Sequence, residues 1–329
     1  MKKTEYENVS IQKGGNTVKK GAAKYIVGGS IVAAGLVLVI IAVCIDGWRL
    51  FTNFPEVTIN PMGVSVFYND YDYKFESGGT KIMETSEIKN VKIDIDYGKI
   101  VIQRGNVEEI DIQTKNIIAD RFKYEVKGDT LNIKYKKGFS LFAFNFGSRN
   151  QEITITFPES SVYDNVKINN GAGDMRISDF AASEIDIDNG VGKLSLEDVA
   201  ADKELEVETG TGEIAINKLS CGKLKIESGV GAVDASEVKC GDIKTESGVG
   251  SFKFSGEING DAEISNGCGE IRMTVYGNSS DYSFNVDSGI GQVKVNGNTP
   301  IQTSGGKYKF KVDTGIGEVR IDFEDKESE

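Results

Sequence analysis

Histidine is absent from the 329-residue chain. That removes Ser–His and Cys–His nucleophile pairs and the commonest nitrogen ligand of protein-bound metals. Only four prolines accompany 39 glycines, so the glycine content belongs neither to a collagen nor to a Pro-rich linker. Basic residues are short as well: 38 Lys and Arg face 50 Asp and Glu, net −12. The deficit is uneven. Residues 1–24 hold six Lys against Glu5 and Glu7, net +4, which leaves −16 for the remainder. A body that acidic argues against a nucleic-acid partner, whose binding rests on neutralising phosphates.

Charge of either sign is missing from "YIVGGSIVAAGLVLVIIAVCI", residues 25–45. As a helix this run spans about 30 Å, the thickness of a bilayer core. Lys13, Lys19, Lys20 and Lys24 precede it and only Arg49 follows closely. The positive-inside rule therefore puts a basic tail, 1–24, in the cytoplasm and everything after the run outside. Trp48 and Phe51 suit the outer interface. A cleaved signal peptide would need a small-residue cleavage site, and none follows. A lipidated Cys44 would need a small residue where Val43 stands. The expectation is one uncleaved transmembrane helix, a single-pass anchor in the cell membrane.

What the chain has in quantity is Gly-x-Gly. The pair recurs at 171/173, 190/192, 210/212, 229/231, 248/250, 267/269, 289/291 and 315/317. First glycines are spaced by 19, 20, 19, 19, 19, 22 and 26 residues, the mark of a stacked array. Aligned on the first glycine, the position three before it holds Ile168, Ile187, Val207, Ile226, Thr245, Ile264, Val286 and Val312. Positions five before, four after and six after are apolar in the same way, with charged or polar residues between them. Period-2 alternation on both flanks makes each repeat strand, bend, strand. One rung cannot bury its apolar face alone, whereas stacked rungs share an interior. The expected fold is all-β: a β-solenoid of about eight Gly-x-Gly rungs, about 4.8 Å apart. A β-sandwich is the alternative. In the solenoid, Val230 and Val249 between their glycines point inward, and Cys268 in the same slot reads as core.

Ahead of the array, residues 86–157 alternate without regular glycines, and "DYGKI" at 96–100 reads as a shortened bend. The order "VKIDIDYGKIVI", "DTLNIKY", "ITITFPES", "VKINNGAGDMRIS" and onward Gly-x-Gly strands resembles the bacterial putative-adhesin domain, a β-strand-repeat family of unknown function. The likeness covers about residues 86–322. It implies a β-helix-like fold and an envelope location, often in Gram-positive bacteria, with ties to adhesion or to envelope stress. It implies no catalytic residues. The divisions are then the tail 1–24, the helix 25–45, a juxtamembrane connector 46–85, the β-repeat domain 86–322 and an acidic tail 323–329.

Four features invite chemistry. The glycines do not form a phosphate loop, because a strand rather than a helix follows each bend. The calcium-binding nonapeptide is approached once only, at "NGAGDM". Two positions before the first glycine stand Asn169, Asp188, Glu208, Glu227, Glu246, Ser265, Asp287 and Asp313. Carboxylates about 4.8 Å apart repel by about 0.9 kcal/mol per pair in water. The plain reading is a solvated charged face, offset by a basic column at Arg176, Lys253, Arg272, Lys294 and Arg320. The sharper reading is a stripe for a divalent cation or cationic ligand at Asp188, Glu208, Glu227, Glu246, Asp287 and Asp313. Cys221 and Cys240 share a column nineteen residues apart, within disulfide reach if the rungs stack. Phe142, Phe144 and Phe146 alternate in "GFSLFAFNF", either as a core-facing strand or as an apolar tip for a partner.

No cofactor and no catalytic constellation is expected. The leading reading is a membrane-anchored extracellular module that binds an envelope protein or polysaccharide, or serves structurally. The alternative is an accessory sensor of envelope stress acting through a membrane partner.

Overall fold

The computed structural model describes residues 56–60, 63–67, 75–82, 88–136, 150–299 and 303–325. The expected membrane helix 25–45 lies outside these residues. So do Phe142, Phe144 and Phe146. Among the described residues no helix is long and apolar enough to cross a membrane. The chain falls into two units, Met1–Asp70 with Ser140–Gly147, and Tyr71–Phe139 with Ser148–Glu329. In the first, β1 (Glu56–Asn60) and β2 (Gly63–Phe67) pair antiparallel.

The second unit is all-β, one 16-stranded sheet wound into a solenoid-like stack. Its strands are β3 (Phe75–Ile82), β4 (Asn90–Tyr97), β5 (Lys99–Gly105), β6 (Ile110–Ile118), β7 (Phe122–Lys127), β8 (Thr130–Tyr135), β9 (Glu152–Pro158), β10 (Tyr163–Ala172) and β11 (Met175–Val191). There follow β12 (Leu194–Ile258), β13 (Ala262–Cys268), β14 (Ile271–Tyr276), β15 (Tyr282–Ile290), β16 (Val293–Val295), β17 (Tyr308–Ile316) and β18 (Val319–Glu324). Parallel pairing joins equivalent positions of successive repeats. Ile168 lies beside Ile187, and Ile187 beside Val207. The 20-residue interval is absorbed by a register shift between Ala182 and Glu184.

Each central repeat has three sides. The side before the glycines carries Leu205 and Val207 inward, and the side after them Ile214 and Ile216. The third carries Leu219 and Cys221, beginning at a second corner. That corner is made by non-glycine residues with positive φ: Asp179, Asp198, Lys218 and Glu237, at +50° to +59°. Left-handed backbone at a non-glycine costs about 1 kcal/mol, so this corner is held by the packing around it. The apolar columns found in the sequence meet in one continuous core from Ile82 to Ile321.

At the Gly-x-Gly corner the two glycines are needed for different reasons. A Cβ on Gly229 would run into the carbonyl oxygen of Gly210 one level away, although its φ is ordinary. Gly231 has φ +152° as well, and its Cβ would overlap the Gly212 oxygen. Added Cβ atoms all point along the stack toward the level before. "DYGKI" is a complete bend of the same kind, because Ala172 pairs with Tyr97 and Gly173 sits over Gly98. Asp96 there takes the place of a first glycine.

Levels do not stack in sequence order at either end. β17 inserts between β13 and β15, and β18 between β14 and β16. The last Gly-x-Gly repeat of the chain is thus next to last in space. At the other end β4 and β5 lie between β8–β9 and β10–β11, again one level in. That end is closed by antiparallel strands, β7 against β8, β6 against β9 and β3 against β6.

Candidate functional site

The acidic column lies on the outer face of the side before the glycines, with a lysine-bearing column beside it. Lys225 Nζ bridges Glu206 and Glu227, the latter at 2.8 Å. Lys244 holds Glu246 and Lys311 holds Asp313, both at 2.8 Å. Neutralisation therefore comes from the same strand face two residues earlier. The basic column expected to do this sits on the next side, where Arg176 pairs with Glu197 at 2.5 Å and Arg320 with Asp322 at 2.7 Å. The geometry corrects that expectation: strand neighbours i and i+2 share a face, whereas residues across the corner do not.

Carboxylate oxygens of Glu206, Glu208 and Glu227 lie within 4.8 Å of one another. The Lys225 ammonium already bridges two of the three, so this trio has an internal counter-ion. The hydrogen bonds that Lys225 donates to Glu206 and Glu227 raise its pKa. Among the described residues no ion pair joins Glu208. Desolvation, then the charges of Glu227 and Glu206, raise its pKa. A carboxyl favoured in its protonated form by folding costs stability once pH rises above its unfolded value near 4.5. Glu208→Gln is thus expected to stabilise the protein at pH 7, by a few tenths of a kcal/mol given its exposure. Chemical denaturation should show the gain fading below pH 4 and in 1 M salt. Destabilisation at pH 7 would contradict the charge account.

Cys221 and Cys240 occupy one column on the third side as free, buried thiols. Burial pushes the Cys221 pKa up to about 12 and that of Cys240 up as well, the latter also through Cys221 beside it. Both thiols are expected to resist maleimide at pH 8 until the protein unfolds, as mass mapping would show. Cys268 is exposed, not core. The same correction applies to its whole column: Val249 is 52% exposed, Val191 49%, Ile316 52% and Ile290 68%, while Val230 is half-buried. Residues between the glycines project outward because the strand phase changes at the corner.

A feature not singled out in the sequence lies immediately before the glycines. Asn170, Asn189, Thr209, Ser228, Asn266 and Thr314 form a buried polar column inside the corner. Asn170 Nδ2 donates to the Gly173 carbonyl at 3.0 Å, and Asn189 Nδ2 to that of Gly192 at 3.2 Å. Asn170 also donates to Asn189 Oδ1, 3.0 Å away, linking two levels. These side chains satisfy corner carbonyls that the strand ladder leaves over. The position is Asn, Ser or Thr in all eight repeats, a pattern present in the sequence. Ser228 Oγ has no partner among the described residues, since serine is too short to span the corner as asparagine does.

On the side after the glycines, Ala215 floors a shallow depression of about 630 Å³. Four of its charged residues pair with one another, Arg176 with Glu197 and Lys193 with Glu213 at 3.5 Å.

No curated protein matches the chain. Among solved structures it is similar to an adhesin from Bacteroides fragilis described as putative, at 14% identity over 76% of this chain and 98% of that one, TM-score 0.45. It is similar to a putative cell adhesion protein from Clostridium sporogenes, at 15% identity over 76% and 100%, TM-score 0.28. A putative lipid binding protein from Parabacteroides distasonis is matched at 14% identity over 74% and 96%, TM-score 0.31. The family profile Toastrack DUF4097 matches residues 88–322, nearly the whole repeat region, and the chain belongs to that family.

Proposed function

We propose that this is a non-catalytic binding or structural module, held at the outer face of the cell membrane by the apolar run 25–45. The observation that carries the reading is repetition. Each outward position is offered again at every level, which suits contact spread along a partner better than a single reaction centre. The amide nitrogens of Asn170 and Asn189 inside the corners are committed to carbonyls of the fold, and Glu227, Glu246 and Asp313 of the acidic column to their own lysines. The names of the solved relatives, two of them adhesion proteins and one a lipid binder, agree with a surface role. Cys268 supplies the test. In intact cells expressing the full chain, a membrane-impermeant maleimide should label Cys268 and spare Cys221 and Cys240. Labelling of Cys268 only after lysis would overturn the extracellular placement.

A further inference from the structure

Four of the seven large apolar side chains exposed among the described residues, Val191, Val249, Ile290 and Ile316, belong to the one column between the glycines. The inserted β17 makes that column continuous at the end of the stack. Val249 pairs with Cys268, Cys268 with Ile316, and Ile316 with Ile290. The result is an apolar ridge about 15 Å long at the usual strand spacing. Such a line is unlike the scattered exposed residues of an ordinary surface.

A groove of about 400 Å³ runs beside the ridge at the levels of Cys268, Ile316 and Ile290, with Gly267, Gly289, Gly315, Asp287 and Asp313 among its lining residues. Asn266 and Thr314 also line it, 2% and 6% exposed, and Asn266 Oδ1 and Thr314 Oγ1 have no partner among the described residues. Asp313 is shared with Lys311, whereas among the described residues no ion pair joins Asp287. Asn266 Oδ1 and Thr314 Oγ1 are buried inside the corner, so the polar capacity that the groove presents outward is that of the Asp287 and Asp313 carboxylates, which accept and do not donate. On the other flank of the ridge stand Glu318 and Glu270, the latter paired with Arg272.

We infer that this ridge and groove form a docking surface for a basic, amphipathic polypeptide segment, with aliphatic side chains on Val249, Cys268, Ile316 and Ile290 and Lys or Arg side chains in the groove at Asp287 and Asp313. The inference rests on the binding-module reading above. A second copy of this chain would bring acid against acid, and an anionic membrane surface would be repelled by the same carboxylates. A simple cation would leave the ridge uncovered. A basic segment answers both the apolar line and the acceptors beside it.

The test uses the full chain in nanodiscs of neutral lipid and a fluorescent ten-residue peptide of alternating Lys and Leu. Anisotropy should report binding that weakens with salt, and the bound peptide should slow maleimide labelling of Cys268. The Glu–Leu and Lys–Ser peptides should bind at least about tenfold more weakly. Ile290→Ser with Ile316→Ser should cost a similar factor, and Asp287→Asn with Asp313→Asn should flatten the salt dependence. Circular dichroism melts identify a variant that has not folded, and the Cys268 footprint on the unaltered chain then decides. Equal binding of the Lys–Ser peptide, or unprotected Cys268 at saturation, would overturn the proposal. So would adsorption to neutral-lipid discs lacking the protein that accounts for the signal. Intact-cell labelling of Cys268 is independent of the peptide, so loss of the docking surface and loss of the extracellular reading are separate results.

Discussion

Gly231→Ala is expected to lower the stability of the β domain by upward of about 4 kcal/mol, enough to unfold it or abolish its accumulation. Two penalties coincide at this position. The backbone is at φ +152°, a region that only glycine occupies readily, and the new Cβ would overlap the Gly212 oxygen. Neither can relax alone, because moving Gly231 away from Gly212 moves it toward Gly250, whose own Cβ position is already closed by the Gly231 oxygen. Gly128 is the control. It lies at φ +62° in the turn between β7 and β8 with nothing within 4 Å of an added Cβ, so Gly128→Ala should cost only about 1 kcal/mol. Denaturant titration of the two variants side by side is the measurement. A midpoint for Gly231→Ala close to that of Gly128→Ala would sink the stacking account.

Deleting residues 307–329 is expected to release two levels, not one. The deletion removes Phe310, Val312, Val319 and Ile321, all fully buried, a loss on the order of 8 kcal/mol of apolar burial. It also removes the strands against which β15 and β16 are paired. Hydrogen exchange should show residues 282–295 losing protection along with the deleted segment, and limited proteolysis should cut between 277 and 299. If 282–290 stays protected, β15 has re-paired on β13 and the inserted order is not required for stability.

Much of this was legible in the sequence. Columns five and three before the first glycine, and four and six after it, predicted the inward faces, and Ile168, Ile187, Val207 and Ile226 are all buried. The change of phase was on the page too, since inward positions are odd before the glycine and even after it. Carrying the first phase through the corner is what misplaced Val249 and Cys268. The lysines two residues ahead of Glu227, Glu246 and Asp313 were equally visible as same-face neighbours. The second corner was not, because Asp179, Asp198, Lys218 and Glu237 share no chemistry that marks positive φ. Nor was the order of levels. Equivalent columns make every level an acceptable neighbour for every other, and only the longer intervals of 22 and 26 residues set the last repeats apart.

The inserted end levels bear on how the domain answers a pull. A strand at the edge of a sheet peels away one hydrogen bond at a time. β17 and β18 are gripped on both flanks, so tension on the C-terminal residues loads two ladders together. The first strands of the stack, β4 and β5, are clasped in the same manner. The C-terminal end of the repeat is thereby held by two ladders at once, whereas a pull from the N-terminal side first meets β3, which among the described residues pairs with β6 alone.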